Sequence, residues 1–148
     1  MKASDLTTAH EVWACADTDD ARHVAIAMRD HNVKSLPVLD DQGRLEGIVT
    51  ERDLVVRLLA RGRSFETPVH NLMSRPVKTI GMDTPLEEIE AIMREHKVRH
   101  LPVTDENNRL KGFVSISDLI RQCKNTDQEH ELISVIEATH APGKPSSQ

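Results

Sequence analysis

Apolar and polar positions along the chain fall into short alternating and helical runs, and the runs occur twice. Ala21, Val24, Ala27 and Met28 recur at helical spacing, as do Leu86, Ile89, Ile92 and Met93. Each helical run leads into Leu-Pro-Val, at Leu36 to Val38 and Leu101 to Val103, a short strand entered through a proline. Turn residues follow, Asp-Asp-Gln-Gly from Asp40 and Asp-Glu-Asn-Asn from Asp105, and then a second strand, Leu45 to Val49 and Leu110 to Val114. Each pair of strands reads as a hairpin. Short apolar strands are expected before the helices, at Val12 to Cys15 and Val77 to Ile80. Last helices are expected at about Glu51 to Arg61 and Ile116 to Lys124. The second unit's first helix carries a start signal: Thr84 at the N-cap, Pro85 at the first helical position and Glu87 completing a capping box.

The two runs are an internal duplication with an offset of 65 residues. It pairs Met28 with Met93, His31 with His96, Gly47 with Gly112, Val49 with Val114 and Asp53 with Asp118. The chain is two β-α-β-β-α units, an α/β (α+β) architecture. The expected division is 1–61 for the first repeat, 62–67 for a linker, 68–124 for the second repeat and 125–148 for a C-terminal helix and flexible tail. Leu132, Val135 and Ile136 share one face of that helix. Neither unit is large enough to be stable alone, so the two are expected to pack with pseudo-twofold symmetry.

Composition narrows the function. The chain has 148 residues, enough to bury roughly 70% of its unfolded surface without a metal or disulfides. Trp13, Phe65 and Phe113 are the only aromatics, too few for a base-stacking platform. The net charge of −5 runs against non-specific nucleic-acid binding. The most apolar window, Leu54 to Ala60, contains Arg57 and is too short to span a bilayer. Cys15 and Cys123 form no disulfide framework, and no apolar N-terminal stretch resembles a signal peptide. A cytoplasmic protein is expected, with neither nucleic acid nor membrane as partner.

Gly47, Thr50 and Asp53, and Gly112, Ser115 and Asp118, stand in the spacing Gly-h-h-(Thr/Ser)-x-x-Asp, where h is apolar. With Leu-Pro-Val before each hairpin, this resembles a tandem CBS-domain pair, or Bateman module, over roughly residues 5–124. The resemblance implies a stand-alone regulatory module that binds an adenosine-containing ligand in a cleft between the repeats: AMP, ADP, ATP, S-adenosylmethionine or a dinucleotide. Asp118 would hold ribose, and Ser115 and Ser117 would touch ribose or phosphate. Arg99 and His100 would supply phosphate charge in the second repeat. Lys34 would reach that pocket or serve the first repeat, beside Thr50, Arg52 and Asp53. Adenine would lie against the first strands. Gly47 and Gly112 would leave room for the ligand, and Glu51 would face solvent. A homodimer controlling an unknown partner in trans is implied, with no required cofactor.

Each feature has a plainer reading. Thr50 with Asp53, and Ser115 with Asp118, are also capping boxes, compatible with a ligand-free dimer that serves as a protein-interaction scaffold. His31 and His96 suit the C-terminal ends of their helices. His96 and His100 have no evident third partner for a metal. Cys15 beside Trp13 reads as core, and Glu87, Glu88 and Glu90 as a solvated face. No nucleophile elbow, phosphate-binding glycine loop, dinucleotide fingerprint or His-Glu-x-x-His motif is present. An enzyme centred on Arg99, His100 and Asp118 is the remotest alternative.

Overall fold

A computed structural model describes residues 1–7, 12–75, 77–122 and 126–140. The expectations for Cys123 and for the tail from Pro142 lie outside them. The architecture is mixed α+β. The chain divides into two compact units, Glu11–Lys78 with Thr104–Leu110, and Met1–His10 with Thr79–Val103 and Lys111–Gln148.

The first unit contains β1 (Cys15–Ala16), α1 (Ala21–His31), β2 (Ser35–Leu39), β3 (Leu45–Thr50) and α2 (Glu51–Asp53). α2 continues without a break as a π-helical segment, Leu54–Leu59, and a 3-10 turn spans Val69–Asn71. Asp20 caps α1 by accepting from the His23 amide at 2.9 Å, and Asn32 ends it in the left-handed region at φ 53°. β2 pairs antiparallel with β3, from Ser35 opposite Thr50 to Val38 opposite Gly47. Asp40 Oδ1 makes the turn by accepting from the amides of Gln42 and Arg44, each at 2.9 Å. β1 lies parallel to β2 on its other side. Val24, Met28, Leu36, Val38, Val49, Val69 and Met73 fill one core, and Ala21, Leu58 and Leu72 a smaller one. The turn around Asn108 belongs to this unit: its side-chain amide donates to the Leu45 carbonyl at 2.9 Å.

The second unit contains a short N-terminal helix, Ala3–Leu6, together with α3 (Leu86–His96), most of β4 (His100–Thr104) and β5 (Leu110–Ser115), α4 (Ile116–Gln122) and α5 (Thr126–His140). β4 and β5 form a two-stranded sheet. Lys97 ends α3 in the left-handed region at φ 54°, as Asn32 ends α1 one repeat earlier. Its core joins Ala3 and Leu6 to Ile89, Met93, Leu101, Val103, Val114, Leu132 and Val135, among others.

Several boundaries differ from the sequence reading. The strand expected at Val12 to Cys15 is Cys15–Ala16: only these two residues pair with β2, the Ala16 amide donating to Asp19 Oδ2 ends it, and Val12 and Trp13 before it are exposed. Trp13 instead stacks on His31, ring centroids 3.5 Å apart. The strand expected at Val77 to Ile80 is a single parallel bridge, Ile80 to Val103. Pro85, not Thr84, occupies the N-cap of α3. The Pro85 backbone is extended and bridges Lys2, the Leu86 amide donates to the Met1 carbonyl at 3.0 Å, and Thr84 Oγ1 accepts from the Gly81 amide. The helix expected from Glu51 to Arg61 has only one α turn before its π-helical continuation. Glu90, expected on a solvated face, is buried.

Candidate functional site

Each repeat makes the same construction where its last strand turns into a helix. Thr50 ends β3 and caps α2: its Oγ1 accepts from the Asp53 amide at 3.1 Å. Asp53 Oδ2 reciprocates, accepting from the Thr50 amide at 2.9 Å and the hydroxyl at 3.0 Å. Ser115 and Asp118 repeat this, with Asp118 Oδ2 accepting from the Ser115 amide at 2.8 Å and the hydroxyl at 3.0 Å. Both aspartates are buried, at 7% exposure each. Such reciprocal caps satisfy amide donors that the helix cannot satisfy itself.

The second oxygen of each aspartate is also occupied. Ser74 Oγ donates to Asp53 Oδ1 at 3.1 Å, and Arg57 Nε stands 3.6 Å away. Arg121 donates to Asp118 Oδ1. These contacts were missed from sequence. Arg57 and Arg121 lie four and three residues beyond their aspartates, a helical spacing that signals such pairs. Ser74 carries no local signal.

The backbone brings the expected cations to the same corners. The Glu51 amide donates to the Lys34 carbonyl at 3.0 Å, and the Ile116 amide to the Arg99 carbonyl at 2.8 Å. Lys34 therefore adjoins Thr50 in the first repeat, and Arg99 and His100 adjoin Ser115 in the second. Lys34, Arg52, Arg99 and Ser117 are exposed, as is Glu51. His100 is partly buried, 5.6 Å from the Phe113 ring. Burial, and then the nearby Arg99 charge, hold its imidazole below the ordinary pKa. At the first strand, burial pushes the Cys15 thiol up to about 12, and its Sγ donates to the Pro37 carbonyl at 3.6 Å.

The motif glycines serve the protein's own packing rather than a vacant ligand space. A Cβ on Gly47 would stand 2.7 Å from Met73 Sδ and 2.9 Å from the Ser74 carbonyl oxygen. Ser74 exchanges two backbone hydrogen bonds with Ile48, at 2.8 and 3.1 Å, which holds that segment over the glycine. A Cβ on Gly112 would stand 2.8 Å from Thr7 Cγ2.

The corners thus offer hydroxyls and cations around carboxylates engaged in caps, an arrangement suited to binding a polar anionic molecule. Among the described residues no three histidine, cysteine or acidic side chains are grouped to hold a metal, and no helix is long and apolar enough to cross a membrane.

CBS domains match the chain over residues 3–60 and 69–125. The CBS domain-containing protein YhcV of Bacillus subtilis is 33% identical over 136 residues, covering 91% of this chain and 96% of that protein. The CBS domain protein PAE2072 of Pyrobaculum aerophilum, solved with AMP, superposes with a TM-score of 0.73 at 25% identity, covering 90% of this chain and 99% of that one. The CBS domain pair of protein MJ0100, solved with 5'-methylthioadenosine and S-adenosyl-L-methionine, gives a TM-score of 0.70 at 25% identity, covering 82% and 94% of the two chains.

Proposed function

The chain belongs to the CBS domain family, and from that premise we propose that it is a regulatory module for an adenosine-containing ligand. AMP, ADP, ATP and S-adenosylmethionine are the candidates. The observation that carries this reading is the pairing of Arg99 and His100 with Ser115 and Asp118 at one corner, joined by the bond from the Ile116 amide to the Arg99 carbonyl. Asp118 would accept from ribose hydroxyls. Ser115 and Ser117 would donate to ribose or phosphate, and Arg99 and His100 would meet phosphate charge. Lys34, Thr50, Arg52 and Asp53 offer the equivalent set in the first repeat. The AMP held by PAE2072 and the adenosyl ligands of MJ0100 support this ligand class.

The module regulates a partner in trans rather than catalysing a reaction, and it works in the cytoplasm. It acts as a homodimer. Val55, Val56 and Leu59, 55%, 42% and 61% exposed on the π-helical segment, form the apolar face assigned to the second copy. A ligand shifts such an assembly only by its differential affinity for two states.

Thermal unfolding against AMP, ADP, ATP, S-adenosylmethionine and NADH tests the reading. Ligand at 100 times its dissociation constant adds about 2.7 kcal/mol of stability. A stabilisation present in the wild type and absent in Asp118→Ala supports the sensor. Its absence for every ligand, in protein stripped of carried-over molecules, favours an interaction scaffold. The complete occupation of both aspartates by caps and arginines is the observation on that side.

A further inference from the structure

We propose that the first unit holds a second pocket for a di- or triphosphate group, inorganic or esterified. Arg57, Arg63 and Arg75 converge with His70, Asn71 and Ser74 on an open cavity of about 630 Å³. That volume exceeds what one phosphate needs and lies within the ordinary range of ligand sites. Its lining is almost wholly polar and cationic, which fits a chain of phosphates rather than an apolar ring.

The arginines are held in place. Arg57 Nη1 donates to the Met73 carbonyl at 2.9 Å. The π-helical segment that carries it is closed by a bond from the Ala60 amide to the Val55 carbonyl, and such segments often mark functional sites. Arg63 donates to the Asn71 carbonyl at 3.3 Å. Arg75 lies 3.5 Å from His70 Nε2. The opposite wall is anchored where the Val69 amide donates to the Asp19 carbonyl at 2.8 Å.

Two carboxylates stand behind this lining. Asp53 faces Arg57 and Ser74, and Glu46 Oε2, buried and without a hydrogen bond, lies 3.5 Å from His70 Nδ1. Asp53 offsets one guanidinium and Glu46 pairs with the imidazole. Arg63 and Arg75 meet neutral partners, so the cavity keeps a positive balance. Planar guanidinium groups match phosphate oxygens two at a time.

The duplicated motif does not account for this pocket. Arg57 lies in the last helix of the first repeat, Arg63 in the linker, and His70 through Arg75 at the start of the second; the 65-residue offset sets Arg57 opposite Gln122, and with Leu6 set against Leu72, His70 and Asn71 fall opposite Ser4 and Asp5. The pocket therefore forms within the first compact unit where the first repeat runs into the start of the second, its cations are not repeated, and it adjoins Asp53 of the first-repeat adenosine set through Arg57 and Ser74.

Calorimetry of the full chain at low salt, with pyrophosphate, tripolyphosphate and ATP as probes, tests it. Binding is expected in the wild type, at least tenfold weaker in Arg63→Gln/Arg75→Gln, and weaker as salt rises. Tripolyphosphate equal to ATP identifies the phosphate chain as the ligand; ATP binding that is tighter and is weakened alongside tripolyphosphate in Arg63→Gln/Arg75→Gln identifies a nucleotide. Either upholds the site. No binding of pyrophosphate or tripolyphosphate, or equal binding by the folded double variant, overturns it. A second readout needs no variant: pyrophosphate must shift the Nε–H resonances of Arg63 and Arg75, and shifts confined to Ser115 through Asp118 also overturn the proposal. Asp118→Ala must leave pyrophosphate binding unchanged. Loss of AMP binding alone would remove the adenosine reading and leave this pocket standing.

Discussion

Ser74 donates its hydroxyl to Asp53 across 21 residues of chain, at 3.1 Å. The bond fixes the segment after the 3-10 turn against the start of α2, beside the reciprocal cap that Asp53 makes with Thr50. Ser74→Ala removes a donor from a buried carboxylate and is expected to cost about 1 kcal/mol. Ser117→Ala, on an exposed side chain, should stay within about 0.5 kcal/mol of wild type. Urea midpoints at unchanged m-value measure both. Equal midpoints for the two variants would remove the structural role given to Ser74.

The two motif glycines should differ in their tolerance of alanine. At Gly47 the added methyl meets Met73 Sδ and the Ser74 backbone carbonyl, and that backbone is pinned to Ile48. At Gly112 it meets only side-chain atoms, Thr7 Cγ2 at 2.8 Å and Thr7 Cβ at 3.3 Å, with no backbone atom in the way. Overpacking costs about 1–3 kcal/mol where neighbours cannot move. Gly47→Ala is expected in that range and Gly112→Ala below it, by thermal unfolding. The reverse order would mean that the Thr7 segment is the stiffer of the two.

These residues also show what sequence could tell and what it could not. The hairpins, α1 and α3 were legible because local chemistry specifies them. Asp40 and Asp105 each close a turn by accepting two amides, and Thr50 with Asp53 forms the expected capping box. What sequence hid depends on distant partners. Pro85 became the cap of α3 because the Met1 and Lys2 backbone engages it. The first strands shrank to two residues and one bridge because only Cys15 and Ala16 find partners on β2 in one case and only Ile80 reaches Val103 in the other. The glycines were read as room for a ligand, but Met73 and Thr7 occupy that space. At the site, the cations beside each corner were visible in the text of the repeat, whereas Ser74 lay too far along the chain to be paired with Asp53.

Cys15 should be inert while the protein is folded. Only 8% of it is exposed, and burial raises its thiol to about 12, so the nucleophilic thiolate is scarce at neutral pH. Alkylation by iodoacetamide at pH 8, followed by peptide mass mapping, is expected to spare Cys15 in native protein and modify it in urea. Labelling of Cys15 at similar rates in both conditions would show that β1 opens readily.

His100 gives stability and binding opposite responses to acid. Burial, with Arg99 adding to it, lowers its pKa below the ordinary 6.5. The unfolded chain then takes up this proton at higher pH than the folded chain does. Stability from this group is complete above about 6.5 and declines as pH falls toward the lower folded value. The difference in unfolding free energy between wild type and His100→Gln should therefore shrink in acid and level off once both states are protonated. A phosphate set against the same imidazole favours its charged form, so AMP affinity relative to that of His100→Gln should rise as pH falls through that window, the protonation of the AMP phosphate at about pH 6 being common to both proteins. His100→Gln should keep weaker binding without this added dependence. Chemical denaturation and calorimetry at matched pH values between 5 and 8 measure the two trends. An AMP affinity with the same pH dependence in His100→Gln as in wild type would take His100 out of the phosphate contact, whatever happens to the stability curve.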